Sequence, residues 1–145
     1  MRNGTKILLK INTIDDEIII HHYKECGISL DGINLTKYAL KLRKYANTFE
    51  LWHENVLIGC CICYMNNFET NVAYISHIAV MPSKTRKGYG RRLIGETEAY
   101  AKDLGFLYLE LEVSKDNTNA YVFYTKLGFY IKEDRGKKWL LSKQI

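Results

Sequence analysis

The chain has 145 residues, 47% of them hydrophobic, and a net charge of +5; this is the length of one ordinary domain, able to bury about 70% of the surface its unfolded chain exposes. Its longest uncharged apolar run, from Val56 to Met65, falls well short of the roughly 20 residues a spanning helix requires, and Arg2, Lys6 and Lys10 are not followed by the apolar run of a signal peptide. These features predict a single domain over 1–145, cytoplasmic, with no membrane partner.

In chain order, "KILLKI" (6–11) reads as a first strand. Thr13 followed by Asp16 is a capping-box-like start for a helix carrying Ile14, Ile18 and Ile19 until Gly27 stops it. The His21-His22 pair on that helix lacks a third ligand and reads as solvated. Between 35 and 46, Leu35, Tyr38, Leu42 and Tyr45 recur at helical spacing, with Lys37, Lys41, Arg43 and Lys44 left for solvent.

The period then drops from 3.6 to 2. "FELWH", a turn at Glu54-Asn55, "VLIGCCICYM", a turn at Asn66-Asn67 and "NVAYISHIAV" read as three antiparallel strands closed by Pro82. Strand alternation puts Cys61 and Cys63 on one face and Cys60 on the other. That arrangement suits neither a zinc site nor a disulfide, so the thiols read as buried in a reducing compartment and no metal is expected.

A helix from about Gly90 to Leu104 stops at Gly105, a strand follows in "FLYLELEV" (106–113), and a short helix from Thr118 to Leu127 ends at Gly128. "FYIKED" and "KKWLLSK" around Arg135-Gly136 make a closing hairpin, and Trp52 and Trp139 read as core. The order β-α-α-β-β-β-α-β-α-β-β is α+β with one parallel crossover, from the strand ending at Val80 to the strand at 106.

The crossover opens with "TRKGYGRR" (85–92), four cations around two glycines at the start of a helix. Free N–H groups at a helix start, glycines that let backbone approach, and clustered cations together suit a phosphorylated ligand. A P-loop would need Lys then Ser or Thr after the second glycine, where Arg91 and Arg92 stand, and a dinucleotide fingerprint would need a glycine where the chain has Leu93. A nucleic-acid partner is not expected, since the chain offers neither a recognition helix nor a stacking platform.

"ISHIAVMPSKTRKGYGRRLIGETEAYAKDLGF" followed by "LYLELEVSKDNTNAYVFYTKLGFY" resembles the acetyl-coenzyme A binding half of the GNAT superfamily of N-acetyltransferases, over residues 72–130. Gly88 and Gly90 match the family's loop glycines, with Thr85 where an Arg or Gln is usual and Arg86 beside it; Asn117, Ala120, Tyr124 and Leu127-Gly128-Phe129 match its second signature. The resemblance implies a GNAT-like fold, a mixed and mostly antiparallel sheet of six or seven strands with a parallel splayed pair and helices on both faces. It implies acetyl-CoA as cosubstrate and a small-molecule or peptide amine as acceptor, in a monomer or homodimer.

By the same resemblance, Arg86, Lys87, Gly88, Tyr89, Gly90 and Arg91 would hold the pyrophosphate, the main chain of Ile78, Ala79 and Val80 would meet the pantetheine and thioester, and Asn117 and Tyr124 would border the cofactor. Transfer to an amine needs a proton acceptor, because an alkyl ammonium near pKa 10.4 is almost wholly charged at pH 7. Glu112, near the C-terminal end of its strand, resembles the base of some protein-alanine acetyltransferases; Glu110 and His77 are the other candidates. Tyr124 is the candidate acid for the departing thiolate. The expected reaction is direct transfer without an acetyl-enzyme; the alternative is a non-catalytic module that binds or senses coenzyme A or acyl-CoA.

Overall fold

The computed structural model describes residues 6–28, 34, 37, 38, 41, 44–85 and 87–145. The period-2 stretch folds as a meander of β2 (Ala46–His53), β3 (Val56–Tyr64) and β4 (Val72–Val80), to which β1 (Leu8–Ile11) adds beside β2. Both Glu54 and Asn55 take positive φ, 50° and 66°, the backbone twist that a two-residue hairpin demands. β5 (Tyr108–Ser114) pairs parallel with β4, and the hairpin of β6 (Tyr130–Asp134) and β7 (Lys138–Gln144) completes seven strands in the order β1-β2-β3-β4-β5-β7-β6. Every other pairing is antiparallel.

Alternation along "VLIGCCICY" assigns a core to each face. Cys61 and Cys63 join Phe49, Ile75, Leu109 and Leu111 under α2 (Tyr89–Asp103) and α3 (Thr118–Lys126). Cys60 and Ile62 join Ile14, Ile19 and Tyr23 of the α1 (Asp16–Glu25) side. Each fully buried Leu or Ile contributes about 1.5–3 kcal/mol, so both faces of the meander are held. The expected mostly antiparallel sheet with one parallel pair and helices on both faces is therefore present.

Several local expectations are corrected. α1 is capped by Asp15, whose carboxylate accepts from Ile18 N–H at 3.0 Å, while Thr13 is drawn away: its N–H (2.9 Å) and its hydroxyl both donate to the buried Glu50. Glu50 also accepts from the Thr48 hydroxyl at 2.6 Å and Trp52 Nε1 at 3.1 Å. Trp52 and Trp139 are half-buried and carry Lys10 and Lys115 over their rings, and His22 is buried, whereas its neighbour His21 is exposed. Lys37, Tyr38, Lys41, Lys44 and Tyr45 are helical; the rest of the helix expected over 35–46, Leu35 and Leu42 included, lies outside the described residues. None of the described helices is long and apolar enough to cross a membrane.

Candidate active site

Parallel pairing between β4 and β5 begins at Val72 with Tyr108 and ends at Ile75 with Leu111. One residue later β4 bulges: Ile62 of β3 faces His77, Cys63 faces Ile75, and Ser76 is left over. The bulge bends the strand at the point where its neighbour departs. From there, among the described residues, β4 is paired on one side only. Met81 N–H donates to Ile58 C=O at 2.8 Å, which fixes the alternation, so the main chain of His77 and Ala79 serves β3 while that of Ile78 and Val80 turns to the vacated side. The main-chain groups of Ile78 and Val80 therefore face the vacated side, and those of Ala79 face β3.

That open edge leads to the basic loop. Gly88 caps α2 in the left-handed region, φ 81°, where a β-carbon would be strained. Among the described residues no acceptor takes the N–H groups of Lys87, Gly88, Tyr89, Gly90 or Arg91, and Lys87, Arg91 and Arg92 are exposed without an ion pair. A ring of free donors at the positive end of a fifteen-residue helix is a site for an anion. Gly90 serves a second purpose: a β-carbon there would meet Phe123 Cζ at 3.2 Å, so its bareness lets α3 pack against α2. Arg86 lies outside the described residues.

At the other end of the open edge is a cavity of about 220 Å³ lined by Ile75, Ser76, His77, Ile78, Leu111, Glu112 and Tyr124. Three of the four candidates for proton transfer, His77, Glu112 and Tyr124, thus line one cavity, and Glu110 lies outside it. Tyr124 enters from the α2–α3 face, packed between Phe123 and Phe129, and burial pushes its phenol above the usual range, so it stays protonated. His77 faces α1, its ring 4.3 Å from Tyr23 and 5.6 Å from His22. Burial, aided by His22, drives its pKa down to about 3, and the ring is neutral.

The two carboxylates of β5 are held. Glu112 pairs with Arg135 Nη1 at 3.0 Å and lies 3.9 Å from Lys138, both from the closing hairpin. Glu110 is buried and accepts from Lys132 Nζ and Ser142 Oγ, each at 2.8 Å. Asn117 caps α3, its Oδ1 accepting from Ala120 N–H at 3.1 Å, which leaves its amide nitrogen for a ligand. Tyr64 and Tyr74 line a further cavity of about 410 Å³ with Asn66, Glu110 and Lys132. Phe68 lies against Phe106, ring centroids 4.9 Å apart.

The thiols offer no nucleophile: burial pushes Cys61 up to about 12 and Cys60 and Cys63 well above their usual value. No cluster of metal-ligating side chains occurs among the described residues. A larger cavity of about 640 Å³ between α1 and the β2–β3 turn is walled by His21, His22, Trp52 and Met81 and shares no lining residue with the one under Tyr124. Sequence reasoning missed Tyr23, Ser76 and Arg135, whose places depend on the bulge and on the hairpin folding back.

Residues 17–129 match the model of the acetyltransferase (GNAT) family. The chain is 38% identical over 71 residues, 48% of its length, to the chloroplastic GCN5-related N-acetyltransferase 4 of Arabidopsis thaliana, and 33% identical over 114 residues, 67% of its length, to an uncharacterized N-acetyltransferase of Methanocaldococcus jannaschii. The matches span 24% and 50% of those relatives. The fold is similar to that of the PaiA N-acetyltransferase of Thermoplasma acidophilum, solved in complex with coenzyme A, with a TM-score of 0.74 at 19% identity over 95% of this chain and 99% of that one.

Proposed function

The chain belongs to the acetyltransferase (GNAT) family, and on that footing we propose that it moves an acetyl group from acetyl-CoA directly to a primary amine. The observation that carries this reading is the one-sided edge of β4, which joins the free N–H groups at the start of α2 to the cavity under Tyr124. A long cofactor anchored by its diphosphate at residues 87–91 has its thioester end fixed at a distance, and fixing it removes much of the entropic cost of the encounter. Lys87, Arg91 and Arg92, all exposed, would meet the outer phosphate, and Asn117 would add a further contact.

At the cavity, the main chain of Ile78 and Val80 supplies donors and acceptors for the pantetheine and the thioester oxygen. Tyr124 holds a proton at neutral pH and gives it to a thiolate whose conjugate acid lies near 8.5. With the Cys60, Cys61 and Cys63 thiols protonated and buried, transfer proceeds without an acetyl-enzyme. Glu112, held by Arg135, walls the acceptor side.

Incubation with acetyl-CoA and a panel of primary amines, followed by free thiol and by mass spectrometry of the products, tests the reading. Amine-dependent thiol release with an acetylated product is expected. Tight coenzyme A binding with no turnover on any amine would instead identify a cofactor-sensing module, and acetyl label bound stably to the protein would exclude direct transfer.

A further inference from the structure

Among the described residues three buried side-chain polar atoms lack a hydrogen-bond partner at normal geometry: Ser76 Oγ, His77 Nε2 and Tyr23 Oη, the last with the Tyr38 hydroxyl as a loose neighbour. They come from two elements: Ser76 and His77 border one cavity, and Tyr23 packs against the His77 ring. Ser76 and His77 stand where β4 bulges and leaves β5, and the Tyr23 ring of α1 lies 4.3 Å from the imidazole. Ser76 and His77 also wall the cavity that Tyr124 lines from the opposite face of the sheet. Native chains rarely leave such atoms without a partner, and two of them on one cavity, with the third on the ring packed against His77, mark a place that a polar ligand fills.

The ligand's charge follows from the surroundings. The groups that face His77 are His22 and Tyr23 of α1, with Tyr38 beside Tyr23; Glu112 of β5, paired with Arg135 and near Lys138; and Tyr124 of α3. Glu110, the other carboxylate at this end of β5, is tied to Lys132 and Ser142. The carboxylates are thus engaged, and the orphaned atoms are two hydroxyls and an imidazole that burial keeps neutral. Such dipoles satisfy the hydrogens and lone pair of an NH₂ group but do not repay the desolvation of an ammonium ion.

Resting on the acetyltransferase reading above, we infer that Tyr23, Ser76 and His77 seat the acceptor's amino group in its uncharged form, so that the chain acts on α-amino groups ahead of alkyl amines. At pH 7 about a tenth of an α-amine with pKa near 8 is uncharged, against about 0.04% of an alkyl amine near 10.4. The ammonium leaves its first proton in water before entry. The nitrogen then attacks the thioester carbon, a C–N bond forms and the C–S bond breaks. Sulfur departs with the electron pair and takes the Tyr124 proton, and the second nitrogen proton returns to the phenolate, so that the amide and the free thiol are the only products.

Leucinamide and isoamylamine carry the same branched chain and differ in amine pKa, which makes them the probes. With the full chain, kcat/KM from thiol release is expected to be at least tenfold higher for leucinamide at pH 7, and the isoamylamine value to rise about tenfold per unit between pH 7 and 9. Equal values at pH 7, or a flat isoamylamine profile, would overturn the seat. No thiol release with either amine while coenzyme A still binds would overturn the acetyltransferase reading itself, and the seat with it.

Tyr23→Phe and Ser76→Ala give a readout that a structural role would not. Each removes an orphaned hydroxyl, so the melting temperature should hold or rise while the acceptor KM rises about tenfold and coenzyme A affinity stays put. A lower melting temperature with unchanged KM would mean that the hydroxyl merely packs. His77→Gln is expected to keep the shape of the pH profile; loss of an ionisation from it would make His77 a proton acceptor and refute the neutral seat.

Discussion

Tyr124→Phe removes one oxygen from a side chain otherwise held by Phe123 and Phe129. If that oxygen protonates the leaving thiolate, turnover falls by about 100-fold while coenzyme A affinity changes less than twofold; steady-state kinetics alongside calorimetry separates the two, and full activity would remove Tyr124 from the role. Gly90→Asp places bulk and negative charge at the start of α2 and should weaken coenzyme A binding by at least tenfold. Because a β-carbon there also presses on Phe123, Gly90→Ala is the matched control, and equal losses in the two variants would mean that packing rather than charge is at stake. Tyr124 and Glu112 were legible as candidates mainly through the family resemblance, and His77 from its residue type, and the fold brings them to one cavity. Their partners were not legible. Glu112 meets Arg135, 23 residues later, only because the last hairpin folds back on β5, and the neutrality of His77 comes from α1 lying over it.

Among the elements, α1 shows how a local signal yields to a tertiary one. Thr13 and Asp16 have the spacing of a capping box, but the buried Glu50 needs donors more than the helix needs that cap, and Asp15 takes over. Glu50→Ala would orphan Thr13 N–H, the Thr48 hydroxyl and Trp52 Nε1 together, at a cost of about 3 kcal/mol in urea unfolding; a loss under about 1 kcal/mol would show that water satisfies them. Strand order within the meander and the parallel crossover followed from period and turn residues. The bulge at Ser76 did not, because it reflects the competition between β3 and β5 for one strand and leaves no mark in residue type.

For the molecule as a whole, two buried histidines set the acid limit. Burial lowers His22 to about 4 and His77 to about 3 from an ordinary 6.5, so below pH 6.5 the unfolded chain binds protons that the folded chain refuses. Stability is therefore complete above about 6.5 and falls as the pH drops toward 4, by up to about 1.4 kcal/mol per unit for each ring. Urea midpoints at pH 7.5, 6 and 5 should trace that fall, and His22→Gln should roughly halve its slope; an unchanged slope would place the lost protons elsewhere. The free N–H groups of residues 87–91, the open edge of β4 and the cavity under Tyr124 make one continuous line. Amide chemical shifts followed by NMR during a coenzyme A titration test that line most directly. The account predicts the largest shifts at residues 87–91, with a second group at Ile78 to Met81, whereas saturable binding that leaves both groups unmoved would contradict it.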